Sequence, residues 1–243
     1  MKKLPFLKRP IFSKRILEVG GGHDPYQGVT HSVDKFPESN SQRATDLFVP
    51  KGVIFKEGEL ENIPFREEPF DFIYASHVFE HVSDPKKAAS EINRIAKKGY
   101  IETPAPIWEQ MSCPVPYDRE KDFHTLFVWT ADGNLYAVPK NENTTFSFCN
   151  CENGKLAQLL ASVHRKGSVN IERLLSNKVK TTKLYFSTPI SFEEFDAFQS
   201  ACDRGCCAYA KVSLVRESLL TLLTSVFSTR AKKLRSVLTD RHT

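Results

Sequence analysis

Short apolar runs alternate with polar segments along the first hundred residues of the chain. Each run is three to six residues long and is bounded by turn-forming or charged residues, which is typical of buried strands. Because most positions within these runs are apolar, they predict a mainly parallel sheet that is covered on both faces. The five predicted strands are Ile16–Gly20, His31–Asp34, Val53–Phe55, Phe70–Ala75 and Tyr100–Thr103.

One helix is clearly indicated between the fourth and fifth of these strands. Asp84 suits the N-cap, Pro85 suits the first turn, and Gly99 is expected to end the helix. Strands that alternate with helical connections predict an α/β fold, here a Rossmann-like sheet with helices on both faces. Ligands of such sheets bind beyond the carboxyl ends of the strands. The apolar stripe and the basic end of the helix are formed by Ala88, Ile92, Ile95, Lys97 and Lys98.

The chain as a whole divides into four parts. Residues 1–104 are the predicted ligand-binding half of the fold, and residues 105–150, rich in prolines, aromatics and charges, predict a cap inserted after the fifth strand. Residues 151–210 are expected to complete the sheet, with helices over Lys155–His164 and Ile171–Lys178 and a strand over Thr182–Phe186. Residues 211–243 place leucines at helical spacing before a basic end, which predicts an amphipathic helical tail.

The formal net charge of +5 lies entirely in that tail. Residues 211–243 contain seven basic and two acidic groups, so residues 1–210 are balanced. A balanced body offers little to bind phosphates, and a nucleic-acid substrate is therefore disfavoured. The tail could lie on an anionic membrane, cover a partner subunit, or pack on its own sheet with a solvated basic end.

The chain carries no pattern of a membrane or secreted protein. No run approaches the ~20 apolar residues that span a bilayer, and Pro5 and Pro10 interrupt the basic start, so a cytoplasmic location is expected. The cysteine spacing does not match a zinc finger or ribbon, and we expect reduced thiols and no metal site. The cysteines are Cys113, Cys149, Cys151, Cys202, Cys206 and Cys207.

The segment I-L-E-V-G-G-G-H-D-P-Y at 16–26 places three glycines directly after the first strand. Glycine adopts backbone angles closed to other residues and lets a ligand touch the main chain, so this is a candidate cofactor loop. Pro25 stands where a dinucleotide motif has its third glycine, which argues against a nicotinamide oxidoreductase. Asp34 ends the second strand, where a carboxylate can accept both hydroxyls of a ribose.

Two later segments complete a recognisable set, E-G-E-L-E-N-I-P-F at 57–65 and P-F-D-F-I-Y-A-S-H-V-F-E-H-V-S-D-P at 69–85. In this order and spacing the four segments resemble the small-molecule branch of the class I S-adenosylmethionine-dependent methyltransferases, often called type 11. The resemblance covers roughly residues 14–104. It implies S-adenosylmethionine as the cofactor and methyl transfer as the reaction.

The resemblance also implies roles for the residues of the first two segments. Glu18 would face the methionine portion of the cofactor, directly or through a water, while Gly20, Gly21 and Gly22 line its path along the backbone. Asp34 would hold the ribose hydroxyls. Only about ten residues separate the glycines from the second strand, too few for a full crossover helix, so we expect a shortened first crossover.

The two later segments carry the remaining implied cofactor contacts. Glu59 would accept a hydrogen bond from the adenine amino group, and the Leu60 backbone N–H would meet a ring nitrogen. Ala75, Ser76 and His77, just past the fourth strand, would line the methionine end and the transfer site.

The stretch His77-Val-Phe-Glu-His81 also spells H-x-x-E-H, the inverted zinc-protease signature. That chemistry needs both histidines on one face of a long helix, whereas Ser83-Asp84-Pro85 ends any helix within a turn. A zinc protease is therefore disfavoured, and His81 is expected to satisfy a local hydrogen bond.

Two histidines are candidates for action on the acceptor, because a hydroxyl must lose its proton and histidine is best tuned to take it. His77 lies beside the implied cofactor, and His124 lies in the insertion; we hypothesise His124 as the base. Tyr117, Asp118 and Trp129 are candidates to shape the acceptor pocket.

The sequence thus favours an S-adenosylmethionine-dependent methyltransferase that acts on oxygen or nitrogen of a small or medium polar acceptor. A sugar or glycan, a natural product and a peptide all remain open as acceptors. The alternative is a non-catalytic domain that keeps the methyltransferase fold as a binding or partner module.

Overall fold

Six strands form the central sheet of the computed structural model, which describes residues 14–41, 44–66, 69–113, 118, 120, 122–165, 180–187 and 189–201. The strands are β1 (Ile16–Val19), β2 (His31–Asp34), β3 (Ile54–Glu57), β4 (Phe72–Ser76), β5 (Gly99–Pro104) and β8 (Thr181–Phe186). Their order in the sheet is β3-β2-β1-β4-β5-β8. The first five strands pair in parallel, and β8 runs antiparallel to β5.

This arrangement confirms the predicted α/β, Rossmann-like fold with a mainly parallel sheet. Residues 20–30, between β1 and β2, form turns and contain no helix, as expected for a shortened first crossover. The carboxyl ends of β1, β2 and β4 therefore meet at one edge of the sheet. Loops at this edge are where such sheets place their ligands.

The predicted helix is α1 (Pro85–Ile95), and its beginning follows the expected chemistry. Asp84 caps it by accepting a hydrogen bond from Lys87 N over 2.9 Å. Its end was predicted wrongly at Gly99: Ala96 is already extended, at φ −152° and ψ 145°. Gly99 instead begins β5, where a Cβ would lie 2.6 Å from atoms of Ile73 and Phe186. Close packing between strands, and not a helix stop, requires glycine there.

The insertion after β5 is more regular than its composition suggests. It contains α2 (Pro106–Ser112) and a hairpin of β6 (Leu126–Ala131) and β7 (Asn134–Pro139), which β9 (Phe192–Glu194) extends into a three-stranded sheet. Side chains alternate along the hairpin. Leu126, Val128, Leu135 and Ala137 join the core of the main sheet, whereas Phe127, Trp129, Tyr136 and Val138 pack in a second core with α2 and with α3 (Glu152–Arg165).

The described residues of the second half of the chain include one predicted helix and one predicted strand. α3 and β8 match the predicted helix Lys155–His164 and strand Thr182–Phe186, and a short α4 (Phe198–Ala201) follows. The predicted helix Ile171–Lys178 and the tail 211–243 lie outside the described residues. In the part of the chain that the structure describes, no helix has the length and apolar character that crossing a membrane requires.

Candidate active site

A cavity of about 280 Å³ opens at the carboxyl ends of β1, β2 and β4. Four segments build its wall, namely 19–23 after β1, 34–36 after β2, 58–61 after β3 and 76–78 after β4. Ser39, His81 and Val82 complete the lining. The parallel register brings these separate segments together, since each follows the end of a paired strand.

The three glycines form the wall nearest to β1 with bare backbone. Gly20 and Gly22 have φ of 66° and 56°, in the left-handed region that side chains rarely adopt. A Cβ on Gly20 would lie 2.4 Å from Val78 Cγ2, and one on Gly21 would lie 2.8 Å from the Glu18 carboxyl carbon. The loop keeps its shape, and the cavity its width, only with glycine at these positions.

Glu18 lies beneath this loop and is not among the residues that line the cavity. Its side chain is buried, and both carboxylate oxygens accept from the backbone N–H of Tyr26, at 3.1 and 3.0 Å. Tyr26 in turn stacks on Tyr74 with ring centroids 4.4 Å apart. Burial raises the pKa of the Tyr26 hydroxyl well above its ordinary value, against a lowering hydrogen bond from Ser76. The structure thus places Glu18 where it ties the glycine loop to β4.

Two carboxylates project from the loops that follow β2 and β3. Asp34 is buried at the cavity wall and accepts from Phe36 N over 3.0 Å, while its carbonyl accepts from Gly58 N over 3.1 Å. Glu59 is partly exposed and forms an ion pair with Lys35 at 2.6 Å. Both side chains line the same cavity, as does Leu60.

Glu61, which the sequence analysis did not single out, fixes the far wall. Its Oε1 accepts from Ser83 N, Ser83 Oγ and Asp84 N, at 2.7, 2.7 and 2.8 Å. These bonds join the loop after β3 to the start of α1. An acidic residue two positions after Glu59, just before the I-P-F turn, was the available signal for it.

Of the three candidate residues at the end of β4, two line the cavity and one does not. Ala75 is fully buried in the core and does not line the cavity, whereas Ser76 and His77 do. His77 has φ 58°, unusual for a residue with a side chain, and its N–H donates to Glu102 O over 2.8 Å. Its Nδ1 lies 3.3 Å from Glu80 Oε1. A non-glycine residue held in this conformation at a cavity wall is typical of a functional site.

The H-x-x-E-H stretch forms a single 3₁₀ turn, Phe79–His81, and Val82 is extended at ψ 149°. The long helix of the protease motif is therefore missing at these described residues. His81 Nδ1 donates to Phe123 O over 3.2 Å, so His81 has a hydrogen-bond partner, but this partner lies in the insertion and is not local as predicted. Burial lowers the pKa of His81, although the neighbouring Glu80 charge opposes this.

His124 lies behind His81 as seen from the cavity, with ring centroids 4.6 Å apart and the rings nearly perpendicular. It does not itself line the cavity. Its Nδ1 lies 2.8 Å from Glu109 Oε2 in α2, and the Lys140 ammonium lies 2.6 Å from the same oxygen and 2.6 Å from Asp122 Oδ2. Neither Glu109 nor Lys140 was predicted, because no local pattern relates residues so far apart in the chain.

The charges of this network shift one another's titration. Burial alone would lower the pKa of His124, but the hydrogen bond and charge of Glu109 raise it above its ordinary value. Burial would raise the pKa of Glu109, yet His124 and Lys140 hold it below its ordinary range. Burial would lower the pKa of Lys140, and Glu109 and Asp122 raise it instead. The network stabilises the charged forms of all three groups.

The three residues predicted to shape the acceptor pocket have different surroundings. Trp129 is 1% exposed within the second core, so the prediction that it shapes a pocket is wrong. It lies on the strand face turned towards α2 and α3, a consequence of alternation along β6. Tyr117 lies outside the described residues, and Asp118 Oδ1 accepts a local hydrogen bond from Glu120 N over 3.1 Å.

Part of the chain matches a known protein family and two curated proteins. Residues 27–101 match the family described as "Methyltransferase domain". An uncharacterized methyltransferase of Bacillus subtilis, YcgJ, is 31% identical over 94 residues, which cover 35% of this chain and 37% of that protein. The protein MJ1123 of Methanocaldococcus jannaschii is 30% identical over 99 residues, 38% of this chain and 44% of that protein. The chain thus matches less than half the length of these relatives.

Two solved structures are also similar to this chain, one over a comparable part of its length and one over a larger part. A structure described as an S-adenosylmethionine-dependent methyltransferase, possible histamine N-methyltransferase, from Thermotoga maritima is 27% identical, with 37% and 42% of the two chains covered and a TM-score of 0.29. The structure of B. subtilis YcgJ is 16% identical, with 71% and 87% covered and a TM-score of 0.34. The match of residues 27–101 to this family, together with the motifs and the sheet, agrees with the predicted class I methyltransferase fold and with S-adenosylmethionine as its cofactor.

Proposed function

We propose that the protein is an S-adenosylmethionine-dependent methyltransferase that acts on oxygen or nitrogen of a small or medium polar acceptor. The observation that carries this proposal is the composition of the cavity. Bare glycine backbone, a buried carboxylate at Asp34 and a second carboxylate at Glu59 line one space. Such a wall suits an adenosine-type nucleoside, because a carboxylate at Asp34 can accept both ribose hydroxyls and one at Glu59 can accept from the adenine amino group, while Pro25 in place of the third glycine argues against a dinucleotide.

The residues that would hold the cofactor follow from their places in the wall. Asp34 ends β2 as a ribose-binding acid does, and Glu59 and Leu60 lie at the adenine side. Because Glu59 is paired with Lys35, we infer that binding loosens this exposed ion pair, which costs little. Ser76 and His77 stand at the methionine end, with Gly20, Gly21 and Gly22 opposite them.

Glu18 and Ala75 support the site from beneath its surface. Glu18 would act on the cofactor through the loop that it holds, since the cavity lining does not include it. Ala75 would set the position of Ser76 by its burial at the end of β4. The bound cofactor supplies an electrophilic methyl group, and the protein supplies alignment and a cavity that excludes water.

The transfer end of the site is the part of the wall that contains His77 and His81. We propose that His77 and His124 serve the acceptor there, His77 at the cavity surface and His124 through His81, its ring neighbour. The acceptor would enter past the insertion, and a sugar, a natural product and a peptide all fit this chemistry. The cytoplasmic location stays a prediction.

Binding and transfer are tested in sequence. Titration calorimetry of the full chain with S-adenosylmethionine and with its demethylated product should show one site, and Asp34→Asn should weaken it at least ~10-fold, about 1.4 kcal/mol. Asp132→Asn, in the exposed turn between β6 and β7, is the matched control and should bind as the wild type does. A folded protein without affinity for either nucleoside would refute the proposal.

A transfer assay distinguishes the enzyme from the non-catalytic alternative. Labelled S-adenosylmethionine would be incubated with fractions of small molecules and peptides, and label in a product would be followed. Binding without transfer to any fraction would favour the module. The acids and glycines expected of a cofactor site all line the cavity, which favours the enzyme over the module.

A further inference from the structure

Glu80, His81 and His124 form a group of possible metal ligands beside the cavity. One ligand atom of each lies within 4.8 Å of the others. We name these three residues the Glu80 cluster. The cofactor contacts proposed above do not involve the carboxylate of Glu80.

The carboxylate of Glu80 is the unusual member. Glu80 is fully buried, and neither of its carboxylate oxygens has a hydrogen-bond partner among the described residues. The imidazole of His77 lies close to it, with Nδ1 3.3 Å from Oε1. Burying a carboxylate without hydrogen bonds costs several kcal/mol, so such a group normally faces a cation.

The two histidines are held as metal-binding histidines usually are. His81 donates from Nδ1 to the Phe123 carbonyl at 3.2 Å, and His124 Nδ1 lies 2.8 Å from the Glu109 carboxylate. A donor bond at Nδ1 selects the tautomer with its lone pair on Nε2, the nitrogen suited to a metal. Carbonyl and carboxylate partners of this kind orient ligand imidazoles in metal sites.

The backbone around the cluster is also fixed. Thr125 donates from N and Oγ1 to the Glu80 carbonyl, at 2.7 and 3.0 Å, and from Oγ1 to Val82 O at 2.7 Å. These bonds hold the segment that carries His124 against the 3₁₀ turn that carries Glu80 and His81. The cluster therefore joins two parts of the chain more than forty residues apart in a set geometry.

In a neighbouring group of possible ligands, the carboxylates are already paired with a cation. Glu109, Asp122 and His124 also lie within ligand distance of one another, but the Lys140 ammonium lies 2.6 Å from both carboxylates and already supplies the cation. The Glu80 cluster contains no such lysine or arginine among the described residues. The two groups share His124. A cation beside Glu80 would balance its carboxylate as the Lys140 ammonium balances those of Glu109 and Asp122.

We propose that Glu80, His81 and His124 bind a divalent transition-metal ion of the Zn²⁺ type at the transfer end of the cavity. Two imidazoles and one carboxylate suit this class of ion, and three protein ligands leave a position open for a further ligand. Metal–ligand bonds of about 2.0–2.2 Å require the three groups to close inward slightly from their present spacing. The proposal changes the sequence-based expectation that the chain has no metal site.

The role of the ion rests on the proposed methyl transfer. Because His81 also lines the cavity, an ion on Nε2 could take an acceptor hydroxyl as its open-position ligand and make that hydroxyl more acidic. The hydroxyl proton then leaves to solvent, the oxygen bonds to the methyl carbon, and the carbon–sulfur bond breaks with its electron pair on sulfur. His124 would thus act as a ligand and not as the base, and the acceptor atom would be oxygen.

The test measures metal binding without any assay of activity. The full chain, stripped with chelator, would be titrated with Zn²⁺ by calorimetry and with Co²⁺ by visible absorption, with Mg²⁺ for comparison. We expect one Zn²⁺ site, a cobalt spectrum without a sulfur-to-metal band, and much weaker Mg²⁺ binding. Glu80→Gln should weaken Zn²⁺ at least ~100-fold, and Glu142→Gln, in an exposed turn, should leave binding unchanged.

His124→Gln provides a second variant if Glu80→Gln fails to fold, because His124 is partly exposed. Zn²⁺ binding that is equal in wild type and in a folded ligand variant, or a cobalt spectrum of thiolate type, would overturn the proposal. Binding of the demethylated cofactor is measured on the same samples. Loss of metal binding with intact nucleoside binding, or the reverse, separates failure of this proposal from failure of the proposed function.

Discussion

Both carboxylate oxygens of Glu18 accept a hydrogen bond from the backbone N–H of Tyr26, across the loop that carries three consecutive glycines. The loop is therefore closed by a charged acceptor at the end of β1. Glu18 therefore holds the shape of the loop. The cavity wall itself is formed by the glycine backbone and does not include Glu18.

Glu18→Ala should weaken both the fold and the cofactor site. The Tyr26 N–H would lose its acceptor in a buried place, which costs about 1–3 kcal/mol. We expect a corresponding loss of unfolding free energy in urea and a lower affinity for the demethylated cofactor by calorimetry. Glu18→Gln keeps one carbonyl oxygen and should lose less in both measurements. Equal losses for the two variants would show that the charge, and not the hydrogen bond, matters.

Gly20→Ala should destabilise the protein through two separable effects. The left-handed φ of 66° costs about 1–2 kcal/mol for any L side chain, and the new Cβ would lie 2.4 Å from Val78 Cγ2. Gly52→Ala is the control, since Gly52 has φ 85° but nothing within 4 Å of the added Cβ.

The contact itself is tested by a double variant. Val78→Ala removes the interfering methyl group, so it should recover part of the stability and nucleoside affinity that Gly20→Ala loses. The measurement is a double-mutant cycle in urea. Equal destabilisation of Gly20→Ala and Gly52→Ala, with no recovery from Val78→Ala, would contradict the close approach seen at Gly20.

Glu91 should contribute to acid stability. Its hydrogen bonds with Arg94, at 2.7 Å from both Nε and Nη2, lower its pKa below the ordinary value of 4.5, and Ile63 N adds a further bond of 3.0 Å. A lowered folded-state pKa stabilises the fold above the unfolded-state pKa. That stability is lost as pH falls from about 4.5 through the lowered value.

The measurement is the unfolding free energy in urea between neutral pH and about pH 3. Glu91→Gln should be less stable at neutral pH and should show a shallower fall in acid than the wild type. The bond to Ile63 also ties α1 to the loop after β3, so nucleoside affinity should decrease too. Parallel pH curves for the two proteins would refute this assignment.

Cys113 should react slowly with alkylating reagents. Burial raises the pKa of its thiol to about 12, while the nearby Lys140 charge opposes the rise and Asp122, which accepts from the thiol at 3.4 Å, adds to it. Since the thiolate is the nucleophile, labelling by iodoacetamide at pH 8 should be at least ~100-fold slower in native protein than in urea. Mass spectrometry of the Cys113 peptide gives the rate. Similar rates in both conditions would place the thiol at the surface.

The sheet was predictable because each strand carries its own signal. A short apolar run that ends at an acid or at glycines indicates a strand and its carboxyl end without knowledge of any partner, and His31–Asp34 was predicted with its observed bounds. The loops at those ends then had to lie together, because parallel pairing aligns them. The cavity wall at Gly20 and Asp34 therefore follows from local patterns, whereas Glu59 was expected only from the resemblance to the methyltransferase family.

One element was missed although its signal was present. Asp132-Gly133 separates two apolar runs, and both residues have positive φ, at 50° and 80°, as a two-residue hairpin turn requires. Without the hairpin, the aromatic residues of this region were candidates for a pocket, and the prediction for Trp129 was wrong for that reason. Recognition of the hairpin would have placed Trp129 on one face by alternation alone.

What the sequence determined by itself is thus the sheet, the glycine loop and the acid at the end of the second strand, because strand pattern and turn chemistry act over a few residues. The tertiary structure decided the surroundings of the histidines. It brought Glu109 and Lys140 to His124 and His124 to His81, across separations of 15 to more than 40 residues. It also buried Glu80 without a hydrogen-bond partner in the described part of the chain. Such relations depend on how the insertion packs against the sheet, and no local pattern encodes that packing.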